Sequence, residues 1–273
     1  MRALVASPLG FLVGLSMGAL GGGGSILAVP ILVYAAGQGA RAATTTSLIV
    51  VGLAALAAMV HHWRAGRVRA GVGLRFGLAG IAASVGGSAL NRRLDPDVLL
   101  LAFAGLTVVA AWRMLTGCPS CTPAGESDAA VSADGRSASV AVVPGLYIDA
   151  TTFAKLVAAG SAVGFLTGLF GVGGGFLIVP ALTLLLGIAV PEAIGTSLLI
   201  IAINAAVALV ARLGTATVEW RITVLFTIAA LSGAITGSRA ADRLPARTLL
   251  RCFAALLLAV AAYTATRSVV ALR

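Results

Sequence analysis

The sequence contains little charge, and acidic residues are the scarcest. Only 10% of the 273 residues are charged, and nine are Asp or Glu, whereas soluble domains carry about 25% charged residues. Most charges stand in short patches between apolar runs of about 15–25 residues, and about 20 apolar residues form a helix that crosses a bilayer. The runs do not alternate apolar and polar residues, as the strands of a transmembrane barrel do. The composition therefore predicts an all-α integral membrane protein and excludes an ordinary soluble domain.

Cysteine and histidine are also rare, with three and two copies. Cys118 and Cys121 form a lone CxxC pair, which is too few ligands for a structural zinc site. His61 and His62 are adjacent, so they do not share a helix face, and Trp63 beside them predicts a position at the membrane interface. No Ser/His/Asp set converges on one segment. The sequence therefore predicts no enzyme, no metal site and no cofactor.

The net charge of +10 does not indicate nucleic-acid binding. The arginines stand singly or in small clusters at the ends of apolar runs, where they anchor and orient membrane helices. A nucleic-acid-binding protein would instead gather them on one face or stripe. The expected surroundings are a lipid bilayer, and the sequence leaves a homodimer open.

Glycine is abundant, with 34 copies, and it repeats in a pattern with an offset of 150 positions. The matches include Gly14 with Gly164, Gly18 with Gly168, Gly21 with Gly171, Gly23-Gly24 with Gly173-Gly174, Pro30 with Pro180, and Thr46-Ser47-Leu48 with Thr196-Ser197-Leu198. The match predicts two transmembrane copies of one unit, at 1–116 and 148–273. Residues 117–147, rich in Ser, Ala, Gly and Asp, are predicted to form a poorly ordered linker.

Each copy contains five apolar segments. They lie near 3–20, 25–37, 42–60, 70–90 and 96–116, and near 152–170, 175–188, 193–211, 219–239 and 246–266. The second segment of each copy would cover only about 20 Å at 1.5 Å per residue, which is too short to span comfortably. The glycine-rich phrases GGGGS and GVGGG stand at the start of these short segments, so we expect Gly/Pro-broken short helices.

Arginine placement predicts that the two copies have opposite orientations. In the first copy the arginines are densest after the third segment, at Arg64, Arg67, Arg69 and Arg75; in the second they are densest from the end of the fourth segment onward, at Arg239, Arg243, Arg247 and Arg251. Because Lys and Arg concentrate in cytoplasmic loops, equivalent loops prefer opposite sides. Inverted repeats need an odd number of crossings per copy, so five crossings, or three plus a re-entrant hairpin, both fit. The termini would then lie outside and the linker in the cytoplasm.

Inverted repeats with broken short helices at matching positions are typical of secondary transporters, whose substrates bind where the broken helices meet. A helix start offers unpaired N–H groups and a partial positive charge to a small anion, and glycine lets the ligand approach closely. Close helix packing is the alternative role of glycine, and it is the one we expect for Gly14, Gly18, Gly164 and Gly168. The predicted substrate-binding residues are Gly21, Gly22, Gly23, Gly24, Ser25, Thr46, Ser47, Gly171, Gly173, Gly174, Gly175, Thr196, Ser197 and Asn204.

Several of these residues keep two interpretations. Ser25 could cap its helix or contact the ligand. The hydroxyls of Thr46-Ser47 and Thr196-Ser197 could instead bond to their own backbone or to a neighbouring helix. Asn204 is a polar residue inside a span, and Ala54 stands at the matching position of the first copy. Any role of Asn204 would therefore be asymmetric.

The motif G-x-x-x-G-x-x-G-x-G-G-G-x-x-x-x-P at 164–180, its relaxed copy at 14–30 and the Thr-Ser-Leu in each half resemble the sulfite exporter TauE/SafE family, also called the toluene-sulfonate uptake permeases. The resemblance implies a multi-pass permease of the bacterial inner membrane for sulfite, organosulfonates or other small sulfur-containing anions. The two copies differ at two positions of this motif: Gly22 is matched by Val172, and Ser25 is matched by Gly175.

Three functions are compatible with the sequence: a secondary transporter that exports small sulfur-containing anions, an anion channel, and a membrane scaffold or sensor. Every Asp and Glu lies near a segment end or in a loop, whereas proton-driven carriers usually hold an ionisable residue within the membrane. We therefore expect no buried carboxyl to couple transport to protons.

Overall fold

Ten helices, five in each predicted copy, make up most of the residues that the structure describes. The structure is a computed structural model, and it describes residues 2–91, 96–116, 150–170, 175–210 and 218–271. The first five helices are α1 (Arg2–Leu20), α2 (Gly24–Tyr34), α3 (Ala40–Arg64), α4 (Ala70–Asn91) and α5 (Pro96–Thr116). The second five are α6 (Ala150–Phe170), α7 (Gly175–Pro180, continuing as a π-helical turn over Ala181–Leu185), α8 (Val190–Val210), α9 (Trp220–Ala241) and α10 (Ala246–Ala271). The predicted all-helical class is confirmed. The linker 117–147, with Cys118 and Cys121, lies outside the described residues.

Four of these helices are long and apolar enough to cross a membrane, within the described ranges: Ala42–Arg64, Ala70–Leu90, Val190–Val210 and Trp220–Ala241. Their outward faces carry large apolar side chains, for example Leu53, Leu78 and Ile228, which are between 43% and 59% exposed. In water such surfaces would be unfavourable, but hydrocarbon solvates them. The protein is therefore an integral membrane protein.

The short second segments end in the same way. Gly37 and Gly187, which are 150 positions apart, both have a positive φ, of 71° and 64°. The N–H of Gln38 donates to the Leu32 carbonyl at 3.0 Å, and the N–H of Ile188 donates to the Leu182 carbonyl at 3.1 Å. Because glycine adopts this left-handed conformation without a steric penalty, it ends both short helices with the same turn.

The helices that carry the G-x-x-x-G pattern pack across the two copies. Along α1, a Cβ at Gly14 or Gly18 would overlap the backbone of α9 at Ala230 or Ala234. Along α6, a Cβ at Gly164 or Gly168 would overlap the backbone of α4 at Gly80 or Ser84. Small residues allow this close approach. The predicted packing role of these four glycines is confirmed.

The third helices of the two copies, α3 and α8, run antiparallel. A Cβ at Gly195, near the start of α8, would lie 3.1 Å from the Cβ of His62, near the end of α3. A Cβ at Gly52, midway along α3, would lie 3.1 Å from the Cβ of Ala205, further along α8. We call the end where α3 finishes and α8 begins the charged end, and the opposite end the cavity end. Antiparallel equivalent helices support inverted repeats, which remain a prediction for the copies as a whole.

Candidate functional site

The glycine-rich starts of the two short helices meet in the interior. A Cβ at Gly22 would overlap the backbone of Gly175, and the Cβ position of Gly175 lies 2.8 Å from the Ser25 hydroxyl oxygen. Gly21 has a φ of 75°, and its Cβ position lies 2.5 Å from the Ser197 hydroxyl oxygen. The sequence motif therefore brings the starts of α2 and α7 together. Gly171, Gly173 and Gly174 lie outside the described residues.

Close packing accounts for the first-copy glycines in this structure. A Cβ at Gly24 would overlap the Val13 carbonyl of α1, and one at Gly23 would lie 2.9 Å from the Leu256 side chain. Neither position faces an open space. The prediction that these glycines also bind an anion remains a prediction, and any ligand must lie beside the helix starts.

A cavity of about 310 Å³ lies beside these starts, at the small end of the range of about 300–1,000 Å³ for ligand sites. It is bounded by α2, α3, α4, α6 and α8. The polar residues that line it are Ser25, Thr44, Ser47, Ser84, Thr167 and Asn204, and among the apolar ones are Val29, Leu48, Val51, Val85, Ile201 and Val207. The residues come from the first half of α3 and the second halves of α4 and α8, so the cavity belongs to the cavity end.

Asn204 is the lining residue with unmet hydrogen-bonding capacity. Its Oδ1 is buried and has no hydrogen-bond partner among the described residues. The hydroxyls around it donate within their own helices: Ser25 to the Gly22 carbonyl at 2.7 Å and Thr167 to the Val163 carbonyl at 2.7 Å. Their oxygen lone pairs remain available. A ligand with a donor group would complete the hydrogen bonding of Oδ1, whereas an anion would require the amide rotated so that its NH₂ group faces the cavity.

Ser25 does not cap its helix. The N-cap of α2 is Gly23, which makes no side-chain cap bond. Ser25 lies two residues after the N-cap, and its hydroxyl donates to the Gly22 carbonyl. Because Ser25 lines the cavity, contact with a ligand is the interpretation that remains for it.

The predicted hydroxyl pairs divide between the cavity and the protein interior. Thr46 shares a hydrogen bond of 3.1 Å with Thr223. Thr196 accepts from the backbone N–H of Arg69 at 3.1 Å, and Ser197 donates to the Ile194 carbonyl at 2.8 Å. Of these four residues only Ser47 is among those that line the cavity. Thr46 therefore joins α3 to α9 and Thr196 joins α8 to the α3–α4 loop, whereas Ser197 bonds to the backbone of its own helix.

Ion pairs join the two copies at the charged end. His61 Nε2 lies 2.7 Å from Asp242 Oδ2, and Arg67 pairs with the other carboxylate oxygen. Burial raises the pKa of Asp242, but the hydrogen bonds from His61 and Arg67 lower it by more, so the pKa lies below its usual value. Arg69 Nε approaches Glu192 Oε2 to 2.7 Å, as an ion pair without the alignment of a hydrogen bond. The two arginine-rich loops predicted to share one side meet at this end.

The sequence predicted that His62 lies at the membrane interface, and this prediction is wrong because the side chain is buried. Trp63 is 52% exposed, but His62 is only 1% exposed. Its Nε2 lies 3.4 Å from the Gly18 carbonyl of α1, and its Nδ1 has no partner among the described residues. Adjacent residues of a helix point about 100° apart, so one histidine can face outward while the next faces the core. Only the rotation of α3, which the sequence does not reveal, distinguishes them.

A ligand-sized cavity beside interrupted helices in a helical membrane protein is a feature typical of membrane transporters. The chain belongs to the sulfite exporter TauE/SafE family, whose model matches residues 6–264. The resemblance drawn from the glycine motifs is thereby confirmed.

The chain is also similar to curated bacterial proteins. It is 33% identical over 262 residues to a "Probable membrane transporter protein" of Xylella fastidiosa (strain Temecula1 / ATCC 700964), covering 95% of this chain and 93% of that protein. It is 23% identical over 235 residues to "Probable membrane transporter protein YdhB" of Bacillus subtilis (strain 168), covering 86% of this chain and 89% of that protein. No solved structure matches the chain significantly. The family and these names indicate a multi-pass transporter of the bacterial cell membrane and not an enzyme.

Proposed function

We propose that the protein is a permease that carries small sulfur-containing anions, such as sulfite or organosulfonates, out of the cell. The anion would bind in the cavity beside the meeting starts of α2 and α7. The observation that carries this proposal is the cluster of Ser25, Ser47 and Asn204 in the cavity, next to the contact between Gly22 and Gly175.

Two physical features of this cluster suit an anion. Ser25 is the second residue of α2, so the cavity adjoins a helix start, where backbone N–H groups and the helix dipole favour negative charge. The amide of Asn204 can present its NH₂ group after a rotation that exchanges nitrogen and oxygen, and the two orientations are close to isosteric. Recognition would thus use neutral donors, without a buried cation.

A carrier fits better than a channel because the residues that follow the cavity toward the charged end are apolar and fully buried. Met17, Ala54 and Ala58, between the cavity and that end, are fully buried. An open pore would require a continuous polar path. For an anion that moves without a coupled ion, export is the favoured direction, because moving one negative charge out of a cell that is negative inside gains about 2.3 kcal/mol per 100 mV.

The test begins with ligand-dependent thermal stabilisation of the purified protein. The panel contains sulfite, sulfoacetate, toluenesulfonate, sulfate and acetate. A ligand at 100 times its Kd should stabilise the folded state by about 2.7 kcal/mol. Stabilisation by acetate alone would contradict the sulfur-anion proposal.

Variants then locate the site. Asn204→Leu should abolish counterflow in vesicles by filling the cavity, and Ser47→Ala should weaken binding by about 1 kcal/mol. Ser232→Ala is the control for the loss of a helix hydroxyl, because Ser232 lies on an exposed part of α9 away from the cavity and donates to the Ala229 carbonyl of its own helix at 2.8 Å. Normal counterflow by a folded Asn204→Leu protein would place the site elsewhere.

A further inference from the structure

His62 is a buried imidazole that the proposed anion site does not use. It is 1% exposed, its Nδ1 has no partner among the described residues, and its Nε2 has only a long contact of 3.4 Å with the Gly18 carbonyl. Leaving a buried polar atom without a hydrogen-bond partner destabilises the folded protein. A helix that only needed to pack would do better with an apolar residue at this position.

The position of His62 is on the closed side of the cavity. Gly18, its neighbour on α1, is three residues before Gly21, where the chain turns toward α2. Its neighbour on α8 is Gly195, two residues before the Ser197 that meets Gly21. His62 therefore stands between the end of α1 and the start of α8, where a path from the helix break to the charged end would have to pass.

The charged groups around His62 already have partners. On its own helix His61 stands with its ring centroid 5.7 Å away and bonds to Asp242, which follows α9 and also binds Arg67 of the α3–α4 loop. On α8, Glu192 pairs with Arg69 of the same loop. On α1, the nearest group is the backbone carbonyl of Gly18.

No carboxylate among the described residues is therefore reserved for His62. A proton on its imidazole would create a positive charge that an anion in the path could neutralise.

We propose that His62 binds a proton on the closed side of the path and that this proton moves with the transported anion. The proposal rests on the proposed function, because it needs an anionic cargo. A proton from water joins the free imidazole nitrogen when the charged end opens, and it returns to water on the other side together with the anion. No other bond forms or breaks. For a monovalent anion the net movement is one proton with one negative charge, which is electroneutral, so the anion and pH gradients, and not the membrane potential, then set the direction of transport.

The first experiment measures sulfite flux in vesicles with an imposed pH gradient and no membrane potential. Coupling of one proton to one monovalent anion supports an anion gradient of about tenfold per pH unit, since each corresponds to the same free energy of about 1.4 kcal/mol. His62→Gln, which preserves polarity and approximate size, should lose this pH-driven accumulation. The neighbouring His61→Gln variant is the matched control and should keep it. Equal pH-driven accumulation by His62→Gln, or flux in the wild type that follows only the potential, overturns the proposal.

A second measurement does not depend on the cargo. Because the chain has two histidines, the His61→Gln protein contains His62 alone, and nitrogen-15 NMR of its imidazole reports this residue. The signal should change from the neutral to the charged form as the pH is lowered across the range in which the pH-driven flux is measured. An imidazole that stays neutral throughout overturns the proposal even if His62→Gln does not fold. Titration of His62 without any sulfite flux in the wild type would instead contradict the proposed substrate.

Discussion

The cavity and the corresponding region at the charged end are built from residues 150 positions apart, yet one is open and the other is filled. Thr167 lines the cavity, whereas Met17 at the matching position is fully buried. Asn204 and Ser84 line the cavity, whereas Ala54 and Ala234 are fully buried. Among the described residues, the ion pairs of Asp242 and Glu192 with residues of the first copy lie at the charged end.

This difference suits the proposed function, in which each of the two sequence copies would form one half of the transport path. In the proposed function the half at the cavity end would admit a ligand, whereas the half at the charged end contains the buried Met17 side chain and the ion pairs. A carrier must exchange these two conditions, because a path open at both ends would be a channel. The following predictions test what keeps the two regions different, from the largest expected effect to the smallest.

The largest effect, on the stability of the protein, should come from the close glycine contact between α4 and α6 beside the cavity. A Cβ at Gly87 of α4 would overlap the Phe165 carbonyl of α6, but Gly86 beside it has open space. Gly87→Val should therefore destabilise the protein by about 3 kcal/mol or more, because the overlap is with backbone that cannot move aside. Gly86→Val is the control and should melt close to the wild type in detergent. Equal melting temperatures of the two variants would mean that α4 and α6 do not pack as described.

Cysteine labelling should separate the open region from the filled one. In a chain whose native cysteines are replaced by alanine, Thr167→Cys should react with a water-soluble thiol reagent at least about tenfold faster than Met17→Cys. A factor of ten corresponds to about 1.4 kcal/mol for opening the charged end. Similar rates at the two positions would show that the protein in the membrane does not favour the state described.

Breaking the ion pairs should reduce the contrast between the two labelling rates. Asp242→Asn removes the carboxylate charge that joins His61 and Arg67, and partly exposed pairs contribute about 0.2–1 kcal/mol each. Labelling of Met17→Cys should then rise about two- to tenfold. Glu219→Gln, at the start of the same helix α9 and at the cavity end, serves as the control and should leave the rate unchanged. An unchanged rate in Asp242→Asn would assign the seal to apolar packing alone.

The smallest effect should be the pH dependence of this same contact. The pKa of Asp242 is lowered in the folded protein, so its contribution to stability is fully present above its ordinary pKa of about 3.9. That contribution disappears as the pH falls through the lowered pKa. The difference in melting temperature between wild type and Asp242→Asn should therefore be constant above about pH 5 and shrink in stronger acid. A difference that shrinks between pH 7 and 5 would contradict the lowered pKa.

The sequence by itself determined the number and type of the helical segments. Apolar runs long enough to span a bilayer form helices because the backbone has no other way to satisfy its hydrogen bonds in hydrocarbon. The spacing of Gly14 and Gly18 predicted close contact because small residues four apart lie on one helix face. The repeated glycines also marked where the two short helices begin, and these starts meet at Gly22 and Gly175.

Only the tertiary structure decided which polar residues face the cavity and which face a neighbouring helix. Thr46 and Ser47 are adjacent and chemically alike, yet Thr46 bonds to Thr223 while Ser47 lines the cavity. His61 reaches Asp242 at the surface, and His62 beside it is buried against Gly18. In a helix that is apolar on nearly every face the sequence pattern does not indicate which side is inward. The helices packed around α3 set its rotation, and this rotation places Ser47 at the cavity and His62 in the protein interior.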